Sequence, residues 1–110
     1  MEYCIRLAQT KDQESLLLLM KEHASFEGHE LVLTKQHQQL HNVDTLPVTI
    51  FVVESNNKLF GYMSVIKQFS TWDMDCYLYL DCLYLAEETR GQGMGLKLMN
   101  TLKLFSQKTG

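Results

Sequence analysis

Apolar residues in the first half of the chain follow helical spacing. A loosely alternating segment predicts a first strand over residues 3–8. Thr10 then begins a capping-box spacing, which predicts a helix over residues 11–24. The apolar face of that helix would consist of Leu16, Leu17, Met20 and Ala24. A second short helix over 34–41 and a loop over 42–47 are expected to follow.

The second half of the chain carries β-branched and aromatic runs separated by short turns. These runs predict strands over residues 48–54, 59–69 and 76–85. The joining turns are too short for parallel crossovers, so the three strands should form an antiparallel meander. The last strand is apolar on both faces, which predicts a central position covered on both sides. A helix ending near residue 107 follows, with a predicted buried stripe of Leu98, Met99, Leu102 and Phe105.

Composition narrows the class of protein. The 110 residues are 45% hydrophobic and 21% charged with a net charge of −3, which is typical of one soluble α/β (α+β) domain over residues 1–110. The pattern predicts no membrane span, no signal peptide and no nucleic-acid partner. Three cysteines without a CxxC spacing indicate reduced thiols in a cytoplasmic protein rather than a disulfide framework.

A glycine-rich turn between the last strand and the last helix is the main chemical signal. The start of a helix presents unpaired N–H groups and a positive dipole end, and glycines let a phosphate approach the backbone closely. The turn ends in Gly95-Leu96-Lys97, which excludes a P-loop, and the glycine spacing excludes a dinucleotide fingerprint. The pattern that fits is Arg90-x-x-Gly93-x-Gly95.

This loop, with the strand before it and the helix after it, resembles the acyl-CoA pyrophosphate loop of the GCN5-related N-acetyltransferase family. The resemblance extends over essentially the whole chain: strand, two helices, three-strand meander, glycine loop and helix. It implies acetyl-CoA as co-substrate and no metal. It further implies that the pantetheine arm pairs with the backbone of the last strand and that the loop holds the pyrophosphate. The implied cofactor-binding residues are Leu83, Tyr84, Leu85, Arg90, Gly91, Gln92, Gly93, Met94, Gly95 and Leu96.

Acetyl transfer to an amine requires a base, and Asp81 is the candidate. It is the only acid in the apolar run of residues 77–86, and burial there would make it a better base. In the diamine and polyamine branch, which this chain weakly resembles, a Glu occupies this place. The shorter Asp favours proton transfer through a bridging water. The alternative is a structural Asp that is hydrogen-bonded to neighbouring backbone or tyrosine hydroxyl groups.

Other polar residues suggest further sites. Glu27, Glu30, Trp72, Asp73 and Asp75 could form an acidic rim for a cationic amine, although a solvated turn is the alternative. His37 and His41 have the i, i+4 spacing of a metal pair, but no HExxH glutamate accompanies them. A polar exposed helix face is therefore the favoured interpretation, and no metal is expected.

The family fold continues beyond the helix that follows the loop. The chain is therefore expected to lack the usual C-terminal strands and helix, including the tyrosine that serves the family as general acid. The last predicted strand would then be a hydrophobic sheet edge, which predicts a homodimer. The predicted function is acetyl transfer from acetyl-CoA to a small-molecule or protein primary amine. The alternatives are an acyl-CoA-binding module and an inactive family member that is stable as a dimer.

Overall fold

The computed structural model describes residues 2–28 and 46–109. The predicted helix over 34–41 and most of the predicted loop over 42–47 lie outside this range. The described elements are, in chain order, β1 (Cys4–Leu7), α1 (Gln13–Phe26), β2 (Thr49–Ser55), β3 (Lys58–Ser70), β4 (Asp75–Leu85) and α2 (Met94–Thr109). Short 3₁₀ turns at Thr10–Asp12 and Glu87–Thr89 precede the two helices.

The four strands form one antiparallel sheet in the order β1-β2-β3-β4, which confirms the predicted α/β class and meander. Asn56 and Asn57 join β2 to β3 with positive φ angles of 52° and 62°. Two consecutive left-handed residues make a hairpin turn that matches the twist of the strands, and asparagine tolerates that conformation better than most residues. The local sequence therefore determines this turn.

Both faces of the sheet are covered by helices. Because side chains alternate along a strand, β2 contributes to two cores at once. On the α1 face the buried residues include Leu16, Leu19, Ile50, Val52, Tyr62 and Tyr84. On the α2 face they are Phe51, Val53, Met63, Val65, Met94 and Leu98. The strands covered on both sides are thus β2 and the first half of β3.

The predicted central position of the last strand is wrong for the described residues. β4 pairs only with β3 and lies at the edge of the sheet, with much of its length exposed. On the other side of β3, the pairing with β2 extends only to Val65, so residues 66–79 form a two-stranded arm beyond the rest of the sheet. Tyr77 and Tyr79 on this arm are each 48% exposed. Apolar residues on both faces of a strand therefore did not guarantee that both faces are covered.

Two details of the helices differ from the sequence prediction. The N-terminal turn is capped by the carboxylate of Asp12, which accepts the Gln9 backbone N–H at 2.8 Å, instead of by the predicted Thr10. Arg6 holds this carboxylate with two further bonds of 2.8 and 2.9 Å. In α2, Met99 is 43% exposed, because the buried stripe begins at Met94 and continues through Leu98.

Candidate active site

A β-bulge places Asp81 at the junction between the sheet and the two-stranded arm. Ser64 pairs with Cys82 and Val65 pairs with Leu80, so Asp81 is the extra residue in β4. A bulge turns a side chain away from the direction that regular alternation would give it. The Asp81 side chain is exposed, and the expectation that it is buried is wrong. The Ser64 hydroxyl donates a hydrogen bond of 3.1 Å to its Oδ2.

The outer edge of β4 presents backbone groups beyond the bulge. Ala86 N–H donates to the Phe60 carbonyl at 2.7 Å, which directs the backbone of Ala86 and Tyr84 toward β3. By alternation, the N–H and C=O groups of Leu83 and Leu85 point away from β3. One of them is engaged within the chain, since Arg90 Nε donates to the Leu85 carbonyl at 2.9 Å.

The glycine loop is anchored at Thr89, which is fully buried and donates its hydroxyl to the Ala86 carbonyl at 2.8 Å. Gly91 and Gly93 then adopt φ angles of 78° and 73°, which an L side chain rarely adopts. The positive φ angles therefore explain why both positions are glycine. Gln92 lies between them on the surface, and its amide donates to the Glu88 carbonyl at 2.8 Å.

The start of α2 leaves backbone donors open. The first helical bond runs from the Lys97 N–H to the Gly93 carbonyl at 3.1 Å. The N–H groups of Met94, Gly95 and Leu96 therefore have no partner within the helix. Met94 is buried under the sheet and fixes this end of the helix, whereas Leu96 is 68% exposed.

Gly95 is the glycine that the protein itself does not require. Its φ is not positive, and a Cβ built on it would meet nothing within 4 Å. Glycine at the second position of a helix costs stability relative to most residues. The space in front of it is open and lies beside the unpaired N–H groups, so the backbone here is accessible to close approach by a ligand.

Arg90 connects the loop to the end of α1. Its guanidinium lies 4.4 Å from the ring centre of Phe26 and 5.6 Å from that of Tyr84. The guanidinium thereby contacts two aromatic rings at once, an arrangement that favours an arginine over a lysine. The predicted role of Arg90 beside a pyrophosphate stays a prediction.

A pocket of about 250 Å³ lies between α1 and the end of β4. Its lining residues are His23, Phe26, Glu27, Leu83, Tyr84, Leu85 and Arg90. His23 is the residue that the sequence analysis missed. Its Nδ1 lies 2.7 Å from the Tyr62 hydroxyl, and its Nε2 lies 3.0 Å from Glu27 Oε1. The i, i+4 spacing of His23 and Glu27 was the available signal, but the partner on β3 is 39 residues away.

Burial raises the pKa of several acids near the bulge. It is the main cause at Cys82, where the Asp81 carboxylate adds to the effect. Burial also raises the pKa of Tyr62, followed by the nearby Cys82 and Asp81. At Tyr84 burial acts first and the Glu22 carboxylate second. All three groups therefore remain protonated at neutral pH and can donate hydrogen bonds.

The predicted acidic rim is not one cluster. Glu27 lies at the pocket beside the C-terminal end of β4, whereas Asp75 begins that strand. Ten residues of strand separate the two ends by roughly 30 Å. Trp72 and Asp73 lie in the turn that precedes Asp75, and Trp72 is 94% exposed. Glu30, His37 and His41 lie outside the described residues.

The described residues offer neither a metal-binding cluster nor a membrane-spanning helix. Within residues 2–28 and 46–109, no group of three or more His, Cys, Asp or Glu side chains could hold a metal ion. In the same part of the chain, no helix is long and apolar enough to cross a membrane.

A known protein family matches most of the chain. Residues 13–110 match the acetyltransferase (GNAT) family, so the chain belongs to that family of acetyl-CoA-dependent enzymes. No curated protein matched the sequence.

Solved acetyltransferase structures share the fold. A possible acetyltransferase from Clostridium difficile 630 superposes with a TM-score of 0.80 at 21% identity, over 96% of this chain and 72% of that one. An aminoglycoside acetyltransferase from an uncultured soil metagenomic sample, solved with sisomicin, gives 0.80 at 19% identity over 98% and 72%. A predicted acetyltransferase from Clostridium acetobutylicum, solved with acetyl-CoA, gives 0.78 at 17% over 97% and 75%.

Proposed function

We propose that this chain transfers the acetyl group of acetyl-CoA to a primary amine. The observation that carries the proposal is the open start of α2. The N–H groups of Met94, Gly95 and Leu96 have no partner within the helix. A Cβ built on Gly95 would meet nothing within 4 Å, so the space beside these groups is open. A pyrophosphate matches such a site in charge and in hydrogen-bonding capacity.

The pantetheine arm is assigned to the outer edge of β4. The outward backbone groups of Leu83 and Leu85 can pair with its amides as an added strand would. Because Arg90 Nε holds the Leu85 carbonyl, full pairing requires that bond to be shared or exchanged. Arg90 would then be available near the pyrophosphate, as the family resemblance implies.

Asp81 is assigned as the base that takes a proton from the attacking amine. Its exposed carboxylate lies at the bulge next to the Leu83–Leu85 segment, and Ser64 orients it. An exposed carboxylate can accept the proton directly or through a water molecule. Since the acidic rim is dispersed, the acceptor is proposed only as a primary amine. A polyamine and an aminoglycoside are the first candidates to test.

The test combines binding and turnover. Isothermal titration of acetyl-CoA should show saturable binding near one molecule per chain for both the wild type and Asp81→Asn. Release of CoA thiol with spermidine or sisomicin should then fall at least about 100-fold in Asp81→Asn. Binding without turnover by the wild type would indicate an acyl-CoA-binding module. Absence of binding would contradict the proposal.

We also propose that two copies associate through the outer edge of the arm. Among the described residues β4 pairs only with β3, and Tyr77 and Tyr79 expose apolar surface there. Antiparallel pairing centred on Tyr77 would leave Leu83 and Leu85 open for pantetheine. Sedimentation equilibrium should detect a dimer, and a monomer at every accessible concentration would contradict it.

A further inference from the structure

Two aromatic rings meet where the end of α1 lies against the end of β4. The ring centres of Phe26 and Tyr84 are 6.3 Å apart, and their planes make an angle of 60°. Tyr84 is held in place by His23, which stacks on it at 5.1 Å, and by a hydrogen bond of 3.4 Å from its hydroxyl to Glu22. Phe26 is 66% exposed. We call these two rings the aromatic corner, and both line the pocket of about 250 Å³.

A cation already lies at the aromatic corner. The guanidinium of Arg90 is 4.4 Å from the centre of the Phe26 ring and 5.6 Å from that of the Tyr84 ring. The face of an aromatic ring attracts a cation that lies within about 6 Å of its centre. Both distances are in this range, so the aromatic corner binds a cation that the chain itself supplies.

The other contact of Arg90 ties it to the proposed cofactor site. Its Nε donates to the Leu85 carbonyl at 2.9 Å, and that carbonyl belongs to the edge assigned to the pantetheine arm. No acidic side chain in the described part of the chain lies within ion-pair distance of the guanidinium. Pairing of pantetheine at Leu85 displaces this bond, and a pyrophosphate at the start of α2 attracts the freed charge. Acetyl-CoA would therefore draw Arg90 away from the aromatic corner.

Removal of Arg90 changes the charge of the pocket. Arg90 is the only lysine or arginine among the residues that line it, and Glu27 is the only acid. The Glu27 side chain is 59% exposed, and its Oε1 lies 3.0 Å from His23 Nε2. A carboxylate has two oxygens and can accept several hydrogen bonds, so this contact leaves it capacity for another donor. Two ring faces beside a carboxylate match an ammonium group in shape and charge.

We propose that the aromatic corner and Glu27 bind a second, non-reacting cationic group of the acceptor amine, and that Arg90 occupies this position until acetyl-CoA binds. The inference rests on the proposed acetyl transfer and names its substrate class. Tyr84 lies three residues beyond Asp81 on β4, which corresponds to roughly 10 Å of strand. The acceptor is therefore a primary amine that carries an ammonium group several methylene groups away, as spermidine does.

The first test compares the acetylation of spermidine with that of butylamine, which has no second cation. Leucine in place of Phe26 keeps an apolar side chain but removes the ring face. Phe26→Leu should raise the KM for spermidine about 3- to 30-fold and change kcat less than about threefold. The KM for butylamine and the KM for acetyl-CoA should not rise. Phe26→Tyr keeps the ring and should retain the wild-type KM for spermidine.

Phe69→Leu is the matched control for the ring. Phe69 is 57% exposed, similar to Phe26, but it lies on the two-stranded arm. This variant should leave every kinetic constant unchanged. Glu27→Gln and Glu14→Gln form a second pair, since both residues are exposed glutamates of α1 and only Glu27 lines the pocket. Glu27→Gln should raise the KM for spermidine about two- to fivefold, and Glu14→Gln should not change it.

The second test measures binding of spermidine without turnover. Saturating CoA, which has no acetyl group to transfer, should lower the Kd of spermidine at least about fivefold in isothermal titration. Without CoA, Phe26→Leu should not change this Kd, because Arg90 occupies the aromatic corner. In the Arg90→Met background, Phe26→Leu should weaken spermidine binding about 3- to 30-fold without CoA. Comparison within one background cancels the general effect of the lost charge.

The third test needs no variant. Aromatic rings also bind quaternary ammonium ions, which donate no hydrogen bond and cannot be acetylated. Tetramethylammonium chloride should inhibit wild-type acetylation of spermidine competitively, whereas sodium chloride of the same ionic strength should not. Absence of this inhibition would overturn the proposed site even if Phe26→Leu failed to fold, which circular dichroism would show.

The outcomes separate the acceptor site from the acetyl transfer. Equal effects of Phe26→Leu on spermidine and butylamine, within about twofold, would overturn the acceptor site and leave the acetyl transfer standing. A spermidine Kd that CoA does not change would overturn the proposed role of Arg90. Absence of turnover with either amine, in wild type that binds acetyl-CoA, would overturn the acetyl transfer and the acceptor site together.

Discussion

Replacing Gly95 with valine should strengthen the fold and abolish acetyl-CoA binding. Gly95 has an ordinary helical backbone, and a Cβ there meets nothing within 4 Å, so valine causes neither strain nor overlap. Valine is a better helix former than glycine by about 0.3–0.5 kcal/mol. For a domain of this size, that gain corresponds to a rise in Tm of roughly 1–3 °C.

The loss of binding follows from where the valine side chain would lie. Side chains in a helix tilt toward its N-terminus, so the two methyl groups would cover the open N–H groups of Met94 and Gly95. Hydrogen bonds to a charged group contribute about 1.5–3 kcal/mol each. Loss of two such bonds amounts to about 3–6 kcal/mol, which raises the Kd roughly 10²–10⁴-fold.

The assay is isothermal titration of acetyl-CoA, with thermal unfolding recorded on the same samples. Asn100→Val is the matched control, because it places the same side chain on an exposed position of the same helix. It should leave the affinity unchanged. If Gly95→Val binds acetyl-CoA with an affinity within about threefold of wild type, the pyrophosphate does not lie at the start of α2. A Tm lowered by several degrees would mean that the valine side chain overlaps other protein atoms, which would contradict the open space in front of Gly95.

Three further predictions concern the scaffold. Gly61→Ala should lower stability by about 1–3 kcal/mol in thermal unfolding, since its Cβ would approach the Tyr84 carbonyl oxygen at 2.7 Å; an unchanged Tm would contradict this. Hydrogen bonds from Arg6 hold the pKa of Asp12 below its usual range. The folded pKa lies below the unfolded one, so this stabilisation is present at neutral pH and lost as the pH falls through the acid range. Asp12→Asn should cost about 1–3 kcal/mol at pH 7 in urea unfolding and remove that part of the pH dependence; an unaltered pH dependence would count against the ion pair. Trp72 is almost fully exposed, so Trp72→Ala should change stability by less than about 0.5 kcal/mol in thermal unfolding and leave the acetyl-CoA affinity unchanged in titration. A large change in either quantity would mean that the turn at Trp72 contributes to the fold or to the site.

Local signals in the sequence determined most of the elements. The three strands of the meander begin and end within one residue of their predicted bounds, because β-branched runs end at turn residues such as Asn56 and Asn57. The glycine loop and its helix were predictable for a related reason. Positive φ angles at Gly91 and Gly93 require glycine whatever the surroundings are.

Features that depend on strand register could not be predicted. The bulge at Asp81 arises because β3 and β4 change register between Ser64 and Val65. One extra residue in a strand leaves no sign in its hydrophobic pattern when both faces are apolar. The exposure of Asp81 followed from that shift, and so the expected burial was wrong.

The sequence by itself determined the elements, their order and the glycine-rich loop before the last helix, because those depend on residues close together in the chain. Only the tertiary structure decided which distant residues meet. It brought His23 to Tyr62 and separated Glu27 from the acidic turn at Trp72. Packing of α1 across the sheet brings His23 into contact with Tyr62. The length of the two-stranded arm separates Glu27 from the turn at Trp72. Neither distance is encoded in local periodicity, since each depends on how whole elements are placed on the sheet.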